Sequence, residues 1–162
     1  MILFLTEQEI ATTTIVGANV EIDKYVNLIK IVQETVLEPL LGTLLYDKII
    51  FDLENDTLTG DYLYLFTEFI KPITVYNSVA EYIEVSNYSL DNKGLMSQNS
   101  QNAVTATVKD REFLAGKYRG YAQSKVLRFQ KWVFQNDIIE YQSCQDEVNP
   151  TDSNNSFPLI FD

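Results

Sequence analysis

Histidine is absent from the chain. That removes the side chain most used for proton transfer near neutral pH and the commonest nitrogen ligand of zinc or iron. A single cysteine, Cys144, allows neither an internal disulfide nor a CxxC pair, so the fold has no need of an oxidising compartment and a reducing cytosol suits it. The six glycines are dispersed, and none builds a phosphate-cradling loop behind a strand. Polar or charged residues interrupt every apolar run before it reaches the roughly 18 residues of a membrane span, so no membrane partner is expected. The opening MILFLTEQEIA has no cationic segment and too short an apolar run for a signal peptide.

What is present is enough for a core. Apolar residues make up 46% of 162 positions, with ten Tyr and nine Phe, which excludes wholesale disorder and implies one domain. The net charge of −11 is unevenly laid out: seven of the twelve basic residues lie in 106–136 against two acids, whereas 1–60 carries ten acids and three lysines. Overall acidity argues against a free-standing nucleic-acid binder, because phosphate neutralisation by Lys and Arg supplies most of that affinity.

Along the chain, Thr6 and Glu9 match a capping box, predicting a short helix over 7–13. From Glu21, the residues Ile22, Tyr25, Val26, Ile29, Val32, Val36 and Leu40 recur at spacings of three and four and predict a helix. Pro39 is expected to end it, Gly42 to turn the chain, and Thr43 to cap a second helix through TLLYDKIIFDL. DLENDTLTGD (52–61) reads as a polar loop with Asp61 as the next cap. Its alternating acids resemble a calcium loop, but Thr57 stands where glycine is needed and Leu63 where a bidentate glutamate is needed, so no calcium is expected. Residues 61–88 place Tyr62, Phe66, Phe69, Ile73, Tyr76, Ala80 and Ile83 on one face of a helix kinked or split at Pro72. The stretch 89–107 is too polar and too long for an ordinary connection. It reads as a long loop or a small hairpin in which KGLM and AVTATV pair. Thr107 and Asp110 mark the start of a third major helix, to about 136, with Phe113, Leu114, Tyr118, Tyr121, Ala122, Val126, Phe129, Trp132 and Val133 on its apolar side. The fold class is therefore all-α: a bundle of three or four main helices over 1–141, followed by a flexible linker and C-terminal arm over 142–162.

Two places invite a partner. Lys109, Lys117, Arg128 and Lys131 fall within about 100° of one another on the side of the third helix away from its apolar stripe. They form either a solvated face or a docking face for an acidic surface. At the other, Phe157, Leu159, Ile160 and Phe161 follow a polar linker, cannot form a core alone, and are expected to dock on their own domain or on a neighbouring subunit. Lys117, Arg128, Lys131, Phe157, Leu159 and Phe161 are thus the candidate interface residues.

Catalytic sets are missing. Serines and threonines have no histidine partner and no Ser-x-x-Lys motif. The carboxylate pairs Glu34 with Glu38 and Glu81 with Glu84 read as solvated helix faces with no ligand set around them. No enzyme activity, catalytic residue, metal or cofactor is expected.

The ordered set IDKYVNLIKIVQETVLEPLLGTLLYDKI, FIKPITVYNSVAEYI, NKGLMSQNS and KDREFLAGKYRGYAQSKVLRF resembles the small head-to-tail connector (adaptor) proteins of tailed bacteriophages, closest to those of phages of Bacteroides-type hosts, crAss-like phages included. The resemblance spans about 20–140, and its most specific parts are PLLGTLLY at 39–46, IKP at 70–72 and NKGL at 92–95. It implies a helical virion subunit, assembled in the bacterial host cytoplasm, that forms a ring, commonly a dodecamer, beneath the portal. Such a ring joins the portal to downstream tail proteins and extends the DNA channel at the virion neck, and DNA passes through it without specific binding. An acidic wall would let DNA slide, since like charges oppose adsorption. The composition also fits an acidic DNA mimic that occupies a host nuclease, although the cationic third helix breaks such a surface.

Overall fold

The computed structural model describes residues 2–6, 9, 22–86, 88–91, 94–97 and 107–141. The chain is all-α with one small hairpin. Helix α1 (Ile22–Val32) leads through a π-helical turn, π1 (Gln33–Leu37), into α2 (Glu38–Leu41); after a corner come α3 (Thr43–Glu54) and α4 (Gly60–Leu65). A second π turn, π2 (Phe66–Ile70), joins α4 to α5 (Lys71–Val85). Strands β1 (Tyr88–Asp91) and β2 (Gly94–Ser97) precede α6 (Val108–Gln135).

Neither proline stops its helix. A proline inside an α-helix has no N–H to donate, and its ring collides with the carbonyl four residues back. Here each proline is the second residue after a π turn, closed by the Glu38 N–H on the Gln33 carbonyl and by the Lys71 N–H on the Phe66 carbonyl. The wider turn gives the ring room, so the first helix runs past Pro39 to Leu41, and the break expected at Pro72 is the π turn ahead of it. Exposed threonines inside both turns take up carbonyls of the preceding turn: the Thr35 hydroxyl donates to the Ile31 carbonyl at 2.7 Å and the Thr67 hydroxyl to that of Leu63 at 2.8 Å.

The extra residue also shifts the buried stripe. Tyr25, Ile29 and Val32 are buried as expected, but beyond the turn the buried positions are Leu37 and Leu41, while Val36 and Leu40 are only half-buried. Gly42 makes the corner with φ 75° and ψ 154°, a backbone conformation open essentially to glycine alone. It also occupies the cap position of α3, so Thr43 is the first helical residue and caps nothing. Likewise Thr59, not Asp61, precedes α4, and Asp61 lies in its first turn. The capping box at Thr107 and Asp110 forms as expected. So does the box at Thr6 and Glu9, with Glu9 N–H on the Thr6 hydroxyl at 3.3 Å; the rest of the helix expected over 7–13 lies outside the described residues.

In the hairpin, Tyr88 pairs with Ser97 and Leu90 with Leu95 in antiparallel register. The partner of GLMS is therefore YSLD, the segment immediately before it in the chain; 98–106 lies outside the described residues, as does 142–162.

Helix α5 is the centre of the molecule, with Ile73, Thr74, Val75, Ser78, Val79, Ala80 and Ile83 all buried. It packs against α1 and, most extensively, α6. One apolar cluster gathers Leu37, Leu41, Leu45, Ile49, Leu65, Phe69, Phe129 and Val133; the other gathers Tyr25, Ile29, Val79, Ile83 and Ala115. The N-terminal segment lies across both, Phe4 in the first and Leu5 in the second. It is held by the fully buried Gln33: the Phe4 N–H donates to its Oε1 at 3.1 Å and its Nε2 donates to the Ile2 carbonyl at 3.1 Å.

Candidate interaction surface

Helix α6 has two dissimilar sides. Its inner stripe is Ala115, Ala122, Phe129 and Val133, all buried, with Tyr118, Val126 and Trp132 half-buried beside them. Charges at the border tie it to its neighbours. The Arg119 guanidinium forks across Glu84 at 2.6 and 2.8 Å and Glu81 at 3.0 Å, and Lys125 donates to the Glu68 carbonyl at 2.9 Å. The hydrogen bond from Arg119 holds the Glu84 carboxyl below its ordinary range and pushes the guanidinium pKa up. The carboxylate pair Glu81 and Glu84 thus serves an arginine, and among the described residues no group of three or more Cys, Asp or Glu is placed to hold a metal. No helix among those residues is long and apolar enough to cross a membrane.

The outer side combines cations with apolar residues. Lys109, Lys117, Arg128 and Lys131 are all exposed there, as expected. Interleaved with them are Phe113, Leu127 and Phe134, exposed at 66%, 59% and 86%. Phe113, expected on the inner stripe, faces outward instead, and Tyr121, though 53% exposed, packs at the border against Tyr76 of α5 with ring centroids 5.8 Å apart; the buried positions beside them are the small residues Ala115 and Ala122, seven positions apart. The Lys117 ammonium sits 4.7 Å from the Phe113 ring centroid, within cation–π range. Between these groups, Gly116 and Gly120 leave a notch: a Cβ added at either would meet nothing within 4 Å. Phe113, Gly120, Leu127 and Phe134 are spaced by seven, the repeat of a helix seam. That spacing was available in the sequence and is the signal by which Leu127, Phe134 and the two glycines could have been found. Phe157, Leu159 and Phe161 lie outside the described residues.

A second outward face has the opposite sign. On α3, Leu44, Asp47, Phe51 and Glu54 are all exposed and fall within about 80° at the helical period. Phe51 is 60% exposed and Leu44 46%. On the inward side of the same helix, burial pushes the Tyr46 phenol up, and the charges of Glu38, Glu34 and Asp47 push it further. Lys48 is the only cation of α3, and it is engaged by the buried Asp52.

Residues 37–151 match the model of DUF6712, a family of unknown function, and the chain belongs to that family. No curated protein and no solved structure matches the chain.

Proposed function

We propose that this member of DUF6712 is a virion structural protein, a head-to-tail connector subunit that assembles as a ring, joins the portal to the tail and extends the DNA channel. The observation that carries this reading is the outer side of α6, where Phe113, Leu127 and Phe134 stand exposed among four cations on a chain of net charge −11. Exposed apolar residues repeated along one side of a long helix mark an assembly surface more than a reaction site. The ordered motifs at 39–46, 70–72 and 92–95 add the phage connector to that general reading. Ring formation of about twelve subunits would follow from a contact between unlike faces whose rotation closes.

The test is direct. Purified particles of the encoding phage, imaged at a resolution that shows side chains, are expected to contain the chain as a ring under the portal. Native mass spectrometry of the chain with purified portal is expected to show a stoichiometric complex. Absence from virions, with no portal complex, would overturn the reading, and competition with DNA for a host nuclease would then favour the acidic mimic.

A further inference from the structure

We infer that the outer side of α6 docks on the acidic face of α3 in a second copy of the chain, with Phe51 of that copy seated in the notch over Gly116 and Gly120. This interface rests on the reading of the chain as a self-assembling subunit and names its contact.

The occupant follows from charge and shape. An α6 face meeting the same face of another copy would oppose Lys109, Lys117, Arg128 and Lys131 to themselves, with only two exposed acids on the helix to relieve them, Asp110, which is engaged in the helix cap, and Glu112 at the edge of the face. Like charges across an interface cost binding. A covering surface must therefore bring carboxylates together with apolar side chains. The stripe Leu44, Asp47, Phe51, Glu54 does so. Its apolar members are seven residues apart, as are Phe113, Gly120, Leu127 and Phe134, so the two helices present matching repeats of about 10 Å. Acids fall three residues after Leu44 and Phe51, and lysines four residues after Phe113 and Leu127.

The glycines supply the remaining argument. Two glycines inside one helix weaken it by about 1 kcal/mol each relative to alanine, and nothing among the described residues requires their smallness, since a Cβ at either would meet open space there. A large side chain from another molecule does. Because the two faces differ, the contact can be made head-to-tail, and it then forms a ring where the rotation closes.

The full-length chain, carrying the photoreactive p-benzoylphenylalanine in place of the exposed Phe51, is mixed in isotopically heavy and light forms and irradiated. Heavy–light crosslinks to 113–127 are expected. Crosslinks confined to another segment, 142–162 included, overturn the interface. In parallel, sedimentation velocity follows charge reversal. Lys117→Glu with Lys131→Glu is expected to weaken self-association about tenfold or more, as is Asp47→Lys with Glu54→Lys, and the combined quadruple variant is expected to recover association. Gly120→Leu is expected to raise the melting temperature, by better helix propensity, while weakening association. Association unchanged in Gly120→Leu and in both double reversals overturns the interface and leaves the connector reading intact. A wild-type chain that stays monomeric at high concentration overturns the self-contact, while its presence or absence in virions decides the connector reading separately.

Discussion

At the scale of single residues, two buried polar side chains, Gln33 and Asp52, act as ties. Gln33 accepts from one backbone group of the N-terminal segment and donates to another, and it has no exposure to exchange these bonds for water. Gln33→Ala leaves the Phe4 N–H and the Ile2 carbonyl without their partner. The expected loss is about 2 kcal/mol, read from urea unfolding followed by circular dichroism. Asp52 plays a similar part after α3. It accepts from Lys48 and, at 3.0 Å, from the Thr57 hydroxyl, while the Thr57 N–H closes on the Asp52 carbonyl at 2.9 Å. Those bonds, the one from Lys48 foremost, hold its carboxyl below its ordinary value. A pKa lower in the folded than in the unfolded state makes Asp52 a source of stability that is full above about pH 4 and is lost as pH falls through the folded pKa. In Asp52→Asn the acid limb of a stability-against-pH curve is therefore expected to flatten relative to wild type, with a lower plateau near neutrality.

At the scale of elements, corners and turns set where each helix faces. The φ and ψ of Gly42 lie in a region that any Cβ disfavours by about 1–3 kcal/mol. Gly42→Ala is expected to lose that much in equilibrium unfolding, and the α2–α3 corner to be the part that loosens in hydrogen exchange. The features legible in the sequence were those with local causes. The Thr107 and Asp110 box announces itself within four residues, and the main helical stripes announce themselves by period. What escaped the reading depended on a neighbour. Pro39 and Pro72 look like breaks until a π turn ahead of each makes room for the ring, and nothing short of the packed core shows that Leu37 and Leu41 are fully buried while Val36 and Leu40 only flank the core. Ala122 was placed on the apolar side as it is found, but Ala115 escaped because a small residue carries little apolar signal. The cationic residues of the candidate surface were legible as a wheel pattern. Their apolar companions were not, because Phe113 was assigned inward and Leu127 and Phe134 to no face at all.

At the scale of the whole molecule, net acidity conceals a division: a cationic, apolar side on α6 and an acidic, apolar side on α3. The C-terminal residues, outside the described part of the chain, follow a polar stretch of sequence and are expected to be separable from the bundle. Deleting 156–162 is expected to leave helix content nearly unchanged by circular dichroism and to impair assembly; a large fall in the monomer's melting temperature would count against this. The two π turns bear on how long the chain may be. In an ordinary helix, removing one residue rotates everything downstream by about 100° and turns a buried stripe out to water. Here each turn already carries a surplus residue, and removing one brings the stripe back to the plain α period, with Leu37 and Leu41 still facing the core. Deletion of Thr35 together with Pro39→Ala is therefore expected to be far better tolerated, by thermal melting, than deletion of Asn27 one helix earlier. Relatives of this protein that differ in length by single residues have 33–37 and 66–70 as the natural places to gain or lose them.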